Sequence, residues 1–289
     1  MAELADRQIE LNGYVFGYRT KVLVNSIEFG GAEPRTNDAQ RPRNDGTRFG
    51  REWRAGRTIT FELTALGPDE TILDEVSRFA SVWDGLDVRT SPGDVSVLRW
   101  NYAGRVRRAY GRPRRLETDN QYYRSGKVTI TATFDTEGPY YYDDQPAETA
   151  VTIAPASTGG FTFPMTFPAR TAGMGERRTG LVIPGDSPAP LVLTVRGPIE
   201  NPTVEVPGYW RFQLLDTLTH DQTIIIDTRP WALTVRKGAT NAAGRIAVGS
   251  PRLPSMWLPP GSHDVILRGS DPSASASLNV TAWPAYASY

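Results

Sequence analysis

The stretch KVTITATFDTEGPYYYDD (Lys127–Asp144) decides the fold class and raises the first functional question. Its opening residues alternate. Val128, Ile130, Ala132 and Phe134 fall on one face, and Thr129, Thr131 and Thr133 on the other. A period of two predicts a half-buried strand. Gly138-Pro139 then stops the ladder, because proline has no N–H to donate. Four carboxylates (Asp135, Glu137, Asp143, Asp144) and three tyrosines (Tyr140–Tyr142) crowd the end. The acids lack the alternating ligand pattern of a calcium loop, and Pro139 and the tyrosines interrupt them. The expectation is a domain end. The tyrosines would act as amphipathic plugs, with the aromatic face inward and the hydroxyl in water. Asp143 and Asp144 would lead into a linker and pair with arginines of this or a neighbouring subunit.

The same alternation recurs outward from this stretch. RTITFEL (Arg57–Leu63) places Ile59, Phe61 and Leu63 on one face. PLVLTVRG, NPTVEV, TIIIDT, WALTV and HDVILRG add strands in the second half, and Trp231, Leu233 and Val235 are expected to share a core face. With 27 Gly and 23 Pro between such runs, the chain reads as all-β with one helix. That helix is GPDETILDEVSRFASVWDG, expected over about 68–84. Ile72, Leu73, Val76, Phe79, Ala80 and Trp83 recur at three- and four-residue spacing, and Gly85 is its stop. A hairpin follows, VSVLRWNY and RVRRAYGRPRRLE around Ala103-Gly104. Its arginines suit either phosphates or carboxylates. The neutral chain favours a solvated or subunit-facing arm that meets carboxylates on a neighbour.

Gly30–Gly56, GGAEPRTNDAQRPRNDGTRFGREWRAG, is polar and shows no strand alternation. A segment this long without structure is uncommon inside a compact domain. It reads as a contact loop between subunits, with disorder as the competing reading. Candidate interface residues are Arg35, Arg41, Arg43, Arg48, Arg51 and Arg54 on this loop, and Arg105, Arg107 and Arg108 on the hairpin. Charged residues thin out near residue 145 and Pro, Gly, Ala and Thr take over. That shift places a first domain at 1–145, a linker at 146–160 and a second β domain at 161–289.

Several function classes drop out. The chain has no cysteine, which removes disulfides, thiolate nucleophiles and cysteine metal sites. Its formal net charge is zero, unlike a protein governed by phosphate neutralisation. The N-terminal MAELADRQIELNG is acidic where a signal peptide is basic and then apolar. His220 and His263 each precede an aspartate, but neighbours on a strand point to opposite faces and form no dyad. No nucleophile elbow, zinc helix or phosphate loop occurs. No catalytic, cofactor-binding or metal-binding residue is therefore named, and no enzyme activity is expected. Sugar stacking by exposed aromatics of the second half is a separate reading, with Trp210 and Trp257 as its candidates.

Seven stretches and the terminal NVTAWPAY together resemble the distal tail protein, a minor tail protein of long-tailed phages of actinobacteria. They run in order as DGTRFGREWRAGRTITFEL, GRVRRAYGRPRR, VTITATFDTEGPYYYDD, GGFTFPMTFP, VLTVRGPIENPTV, IIIDTRP and WLPPGSHDVILRG. The resemblance implies an N-terminal ring-forming β-sandwich or barrel domain and a C-terminal galectin-like β-sandwich, akin to a carbohydrate-binding module. It implies a homo-oligomer, commonly a hexamer, at the virion's tail tip. Its partners would be the tail tube protein and the tail-associated hub protein, with DNA only in transit. It transfers no catalytic residue and no cofactor. The alternative it leaves open is a carbohydrate-binding or receptor-binding tail protein.

Overall fold

The computed structural model describes residues 3–154 and 177–289. They cluster into two compact units. The first is Met1–Asp144 together with Tyr286–Tyr289, and the second is Gln145–Ala285. The expected stretch GGFTFPMTFP lies outside the described residues. The fold class is as the alternation predicts: mostly antiparallel β structure and one long helix.

The first unit is built on β1 (Gln8–Leu11), β2 (Tyr14–Gly17), β3 (Val22–Phe29), β4 (Pro34–Arg35), β5 (Ala39–Gln40), β6 (Thr47–Arg48), β7 (Trp53–Arg54), β8 (Thr58–Leu66), β9 (Ser96–Tyr102), β10 (Arg105–Asp119), β11 (Lys127–Thr136) and β12 (Tyr141–Asp143). Its main sheet runs β2-β1-β9-β10-β11-β8-β3, and β12 pairs with β10. β11 alternates strictly, and Val128, Ile130, Ala132 and Phe134 are buried as expected. The helix α1 spans Asp69–Asp84 and ends at Gly85, whose φ of 55° is the left-handed cap. Ile72, Val76, Phe79 and Trp83 bury its stripe. Each such side chain contributes about 1.5–3 kcal/mol by leaving water. Phe79 lies 5.4 Å from Phe16, and Trp83 lies 5.7 Å from Phe61, so the helix keys into β2 and β8. Leu73 departs from the expected stripe and is exposed, because it stands about 100° round the helix from Ile72. A four-residue helical turn, α2 (Leu86–Arg89), follows. Ala103 and Gly104 both take positive φ, as a tight type I′ turn between β9 and β10 requires.

The second unit carries β13 (Ala147–Thr152), β14 (Arg178–Ile183), β15 (Ala189–Arg196), β16 (Ile199–Val206), β17 (Trp210–Gln213), β18 (Thr217–Leu218), β19 (Thr223–Asp227), β20 (Thr234–Lys237), β21 (Thr240–Asn241), β22 (Trp257–Leu258), β23 (Gly261–Ser270) and β24 (Ser277–Ala282). One sheet runs β13-β24-β15-β19-β20-β21 and the other β14-β23-β16-β17. Leu191, Leu193 and Val280 of the first meet Val204, Phe212 and Val265 of the second in one core. This is a β-sandwich.

Three expectations need correction here. The stretch 146–160 is not wholly a linker: Ala147–Thr152 pairs with β24 from Ala147↔Ala282 to Thr152↔Ser277. Glu148, Ala150 and Thr152 are exposed and only Val151 is buried, so the strand carries no run of large apolar residues, and composition alone hides it. The first unit also regains Tyr286–Tyr289, which the boundary at 161–289 assigns to the second. Finally, Trp231 sits in a turn and Leu233 is exposed at φ 43°, so only Val235 of that trio joins the core. The strand begins later, at Thr234.

Candidate assembly surface

The segment Gly30–Gly56 is an arm. It continues the β3–β8 pairing past Phe29↔Ile59 and the Gly30 N–H to Thr58 carbonyl bond. Ala55 N–H then donates to Glu33 O at 2.9 Å. Pro34 pairs Arg54, Arg35 pairs Trp53, Ala39 pairs Arg48 and Gln40 pairs Thr47. The Asp38 carboxylate accepts the Gly50 N–H midway, and Arg41 N–H donates to Gly46 O at the tip. The segment is therefore an antiparallel hairpin, not a structureless loop. Alternation is missing from its sequence because both of its faces are exposed, so no side of it selects apolar residues.

Every residue from Glu33 to Arg54 is exposed. Arg35, Arg41, Arg43, Arg48 and Arg54 make no ion pair among the described residues. Arg51 lies over the Trp53 indole at 5.4 Å. Two large apolar side chains accompany them: Phe49 is 78% exposed and Trp53 48%. An isolated two-stranded hairpin is marginal in water. Exposed aromatics beside unpaired guanidinium forks are what a protein contact uses.

The hairpin arginines divide differently. Arg105 is exposed. Arg107 donates to Asp143 at 2.8 Å and lies 3.6 Å from the Tyr286 ring centroid. Arg108 is only 7% exposed and donates to the Asp144 carboxylate and its backbone carbonyl, each at 2.7 Å. Arg112 caps the carbonyls of Ser91 and Asp94, Arg114 meets Asp135, and Arg115 meets Glu117. The expected carboxylates are thus supplied by the unit itself, not by a neighbour. Arg107 and Arg108 are interior residues of the first unit rather than a subunit-facing pair. The same pairings leave little of this strand for phosphates.

Asp144 also receives a bidentate fork from Arg99, Nε to Oδ1 and Nη2 to Oδ2, both at 2.7 Å. Arg99 donates its Nη1 to Glu10. Glu10, Arg99, Arg108 and Asp144 form a buried, charge-balanced cluster that ties β1, β9 and β10 to the exit of the first unit. Burial pushes the Asp144 carboxyl up, but hydrogen bonds from Arg99 and Arg108 outweigh it and hold it below the usual carboxylate range. Two of the three closing tyrosines are not wetted plugs; Tyr140 alone is half-buried. Tyr141 is fully buried, 5.2 Å edge-on to Trp100, with the Arg57 guanidinium 4.9 Å from its ring centroid. Burial raises its pKa. Tyr142 is buried on the opposite face against Tyr110. Sequence reading missed this arrangement, since the pairings bridge positions 36 to 89 residues apart.

In the second unit, Trp210 is 9% exposed and packs in the sandwich core, so it offers no face to a sugar. Trp257 is 46% exposed, and Tyr209, whose ring lies 5.0 Å from that of His263, is 51% exposed. His263 is buried, with Nε2 2.7 Å from the Pro259 carbonyl, and Asp264 faces Arg178 instead. No group of metal-ligating side chains and no membrane-length apolar helix occurs among the described residues.

The two compact β units together match solved structures of phage proteins. One similar solved structure is the Dit protein (gp 19.1) of SPP1, described as a paradigm of hub adsorption apparatus in Gram-positive infecting phages. The TM-score is 0.60 at 10% identity, over 95% of this chain and 97% of that one. The phage P2 baseplate in its activated conformation is similar at TM-score 0.56 and 15% identity. The match covers 95% of this chain and 97% of the other in the Ca form, and 96% and 98% in the Sr form. No protein-family model and no curated protein matches the chain. At these identities the likeness is one of fold, and the chain has the Dit-like fold.

Proposed function

We propose that this chain is a structural component of a long-tailed phage's tail tip or baseplate, made in the host cytoplasm and carried in the virion. The observation that carries the reading is the fold likeness over 95% of the chain, which takes in both units. In this reading copies close into a ring, of six by the resemblance, around the DNA path. The ring joins the tail tube protein to the tail-associated hub protein. Closure by repeated head-to-tail contacts needs two different complementary surfaces on each copy. The arm, with its unpaired arginines, Phe49 and Trp53, supplies one of them. An actinobacterial host is the narrower form of the proposal. It is supported by the sequence stretches and by 29 arginines to three lysines, the usage of a GC-rich genome. The role is structural and non-enzymatic.

Light scattering on the purified chain tests this. The expected mass is near six times the 31.9 kDa of one copy, with ring-shaped particles in electron micrographs. A monomer at every concentration, with and without the tail tube protein, overturns it. The second reading, carbohydrate binding by the second unit, keeps one of its two candidates, the exposed Trp257. Its test is a glycan array with the whole chain, and only binding abolished by Trp257→Ala supports it.

A further inference from the structure

The arm has no core of its own, so its direction is set where it leaves the first unit. One foot is Phe29–Gly30 and the other is Ala55–Arg57. Both feet press closely on neighbouring backbone. A Cβ on Gly30 would lie 2.5 Å from the Thr58 carbonyl, and one on Gly56 would lie 2.0 Å from that of Thr136. Only glycine fits such approaches.

The returning residues Tyr286–Tyr289 reach both feet within the first unit. The Tyr289 ring stacks on Phe29, with centroids 4.4 Å apart and planes 14° from parallel. Phe29 is held from behind by Trp100 at 5.2 Å and Tyr141 at 5.7 Å. On the other foot, Arg57 donates Nη2 to the Ala287 carbonyl at 2.6 Å and Nε to the Pro139 carbonyl at 2.8 Å. The Arg57 backbone is fixed as well. Its N–H donates to Thr136 Oγ1, and its carbonyl accepts from Thr136 N–H. At the near end of the segment, the Tyr286 ring lies under Arg107 at 3.6 Å.

We propose that Tyr286–Tyr289 is a strap that clamps the root of the arm and fixes the direction in which the arm is presented. Tyr289, Arg57 and Phe29 are its positioning residues. The contacts are spread as a clamp requires, one aromatic stack on the first foot and one forked donor on the second. The strap is also where the chain returns from the second unit at Ala285–Tyr286, so that return and the arm's root are a single set of contacts. The consequence for assembly rests on the arm being the subunit contact proposed above; the clamp itself does not.

Hydrogen exchange on the full chain tests the clamp. The amides of Gly30 and Ala55 close the root, and those of Val128 to Ala132 in β11, away from Thr136, serve as the internal reference. Tyr289→Ala removes the stack from a side chain that is 63% exposed, so folding is not at stake. Arg57→Lys keeps the charge but cannot fork to two carbonyls. Each substitution is expected to speed exchange at Gly30 and Ala55 roughly two- to tenfold, the factor to which loss of one such contact converts. The reference amides should be unchanged. Unchanged root amides in both variants overturn the strap. So does an equal rise across the first unit, which would mark general loosening. Light scattering on the same samples reports assembly separately, so a failed ring and a failed strap give different records.

Discussion

Asp144 shows how a surface-looking residue becomes structural. In sequence it is the last acid before a change in composition. In the fold its carboxylate is held by Arg99 and Arg108, and its backbone carbonyl by Arg108 again. Neutralising Asp144 leaves the buried Arg108 without its carboxylate and strips Arg99 of its fork, although Arg99 keeps Glu10; breaking a buried ion pair in this way costs about 3–5 kcal/mol. Asp144→Asn should therefore lower the denaturation midpoint of the first unit by a corresponding amount. Glu10→Gln should cost less, because Arg99 keeps its fork to Asp144. The pH dependence follows from the depressed carboxyl. With the folded pKa below the unfolded value of about 3.9, the contribution is complete above that value. It is lost as pH falls through the folded pKa. Chemical denaturation across the acid range should show that loss in the parent and a flatter profile in Asp144→Asn. Equal slopes would remove Asp144 from the acid response. The residues of this cluster could each be read as charged. Their pairing could not be, since partners such as Glu10 and Arg99 are brought together only by strand order.

At the scale of elements, what the sequence discloses depends on whether an element has an inside. α1 was legible because one face is buried: Ile72, Val76, Phe79 and Trp83 repeat at the helical period. Its end was legible because Gly85 takes a positive φ that other residues adopt at a cost. Gly85→Ala should destabilise the first unit by about 1–2 kcal/mol, through the strained backbone and a Cβ placed 3.3 Å from Val88. Thermal unfolding checks this, and an unchanged midpoint would show that the cap relaxes freely. β11 was legible for the same reason, with every second residue buried. The arm was legible only as an anomaly. It has no buried side, so its pairing leaves no apolar period, and its register is inherited from β3 and β8 beneath it. Trp231 failed in the opposite way. An apparent alternation with Leu233 and Val235 was broken by a turn at Trp231 and Ala232 and a positive φ at Leu233.

For the whole molecule, the question is which surface remains uncommitted. The net charge is zero, yet the charges are not spread evenly in use. On β10, five arginines are occupied within the first unit, whereas none of the arm's six makes an ion pair among the described residues, and Arg51 has only the Trp53 ring. A copy-to-copy contact through those forks would be charge-assisted at its rim, with Phe49 and Trp53 as apolar anchors. Such contacts weaken as salt shortens the screening length to about 3 Å at 1 M. Removing the arm is the direct test, and the fold makes it a clean one. Residues 33–54 leave between two paired strands, so an Asn-Gly turn can close β3 onto β8 without disturbing Phe29↔Ile59. The shortened chain should keep the thermal transitions of both units and lose the multimer in light scattering. A charge-only variant, with Arg35, Arg41, Arg43, Arg48 and Arg54 changed to Gln, should assemble more weakly and lose the salt dependence. If the shortened chain still forms multimers of the original size, copies meet through another surface, and the arm must be assigned to a different partner in the tail.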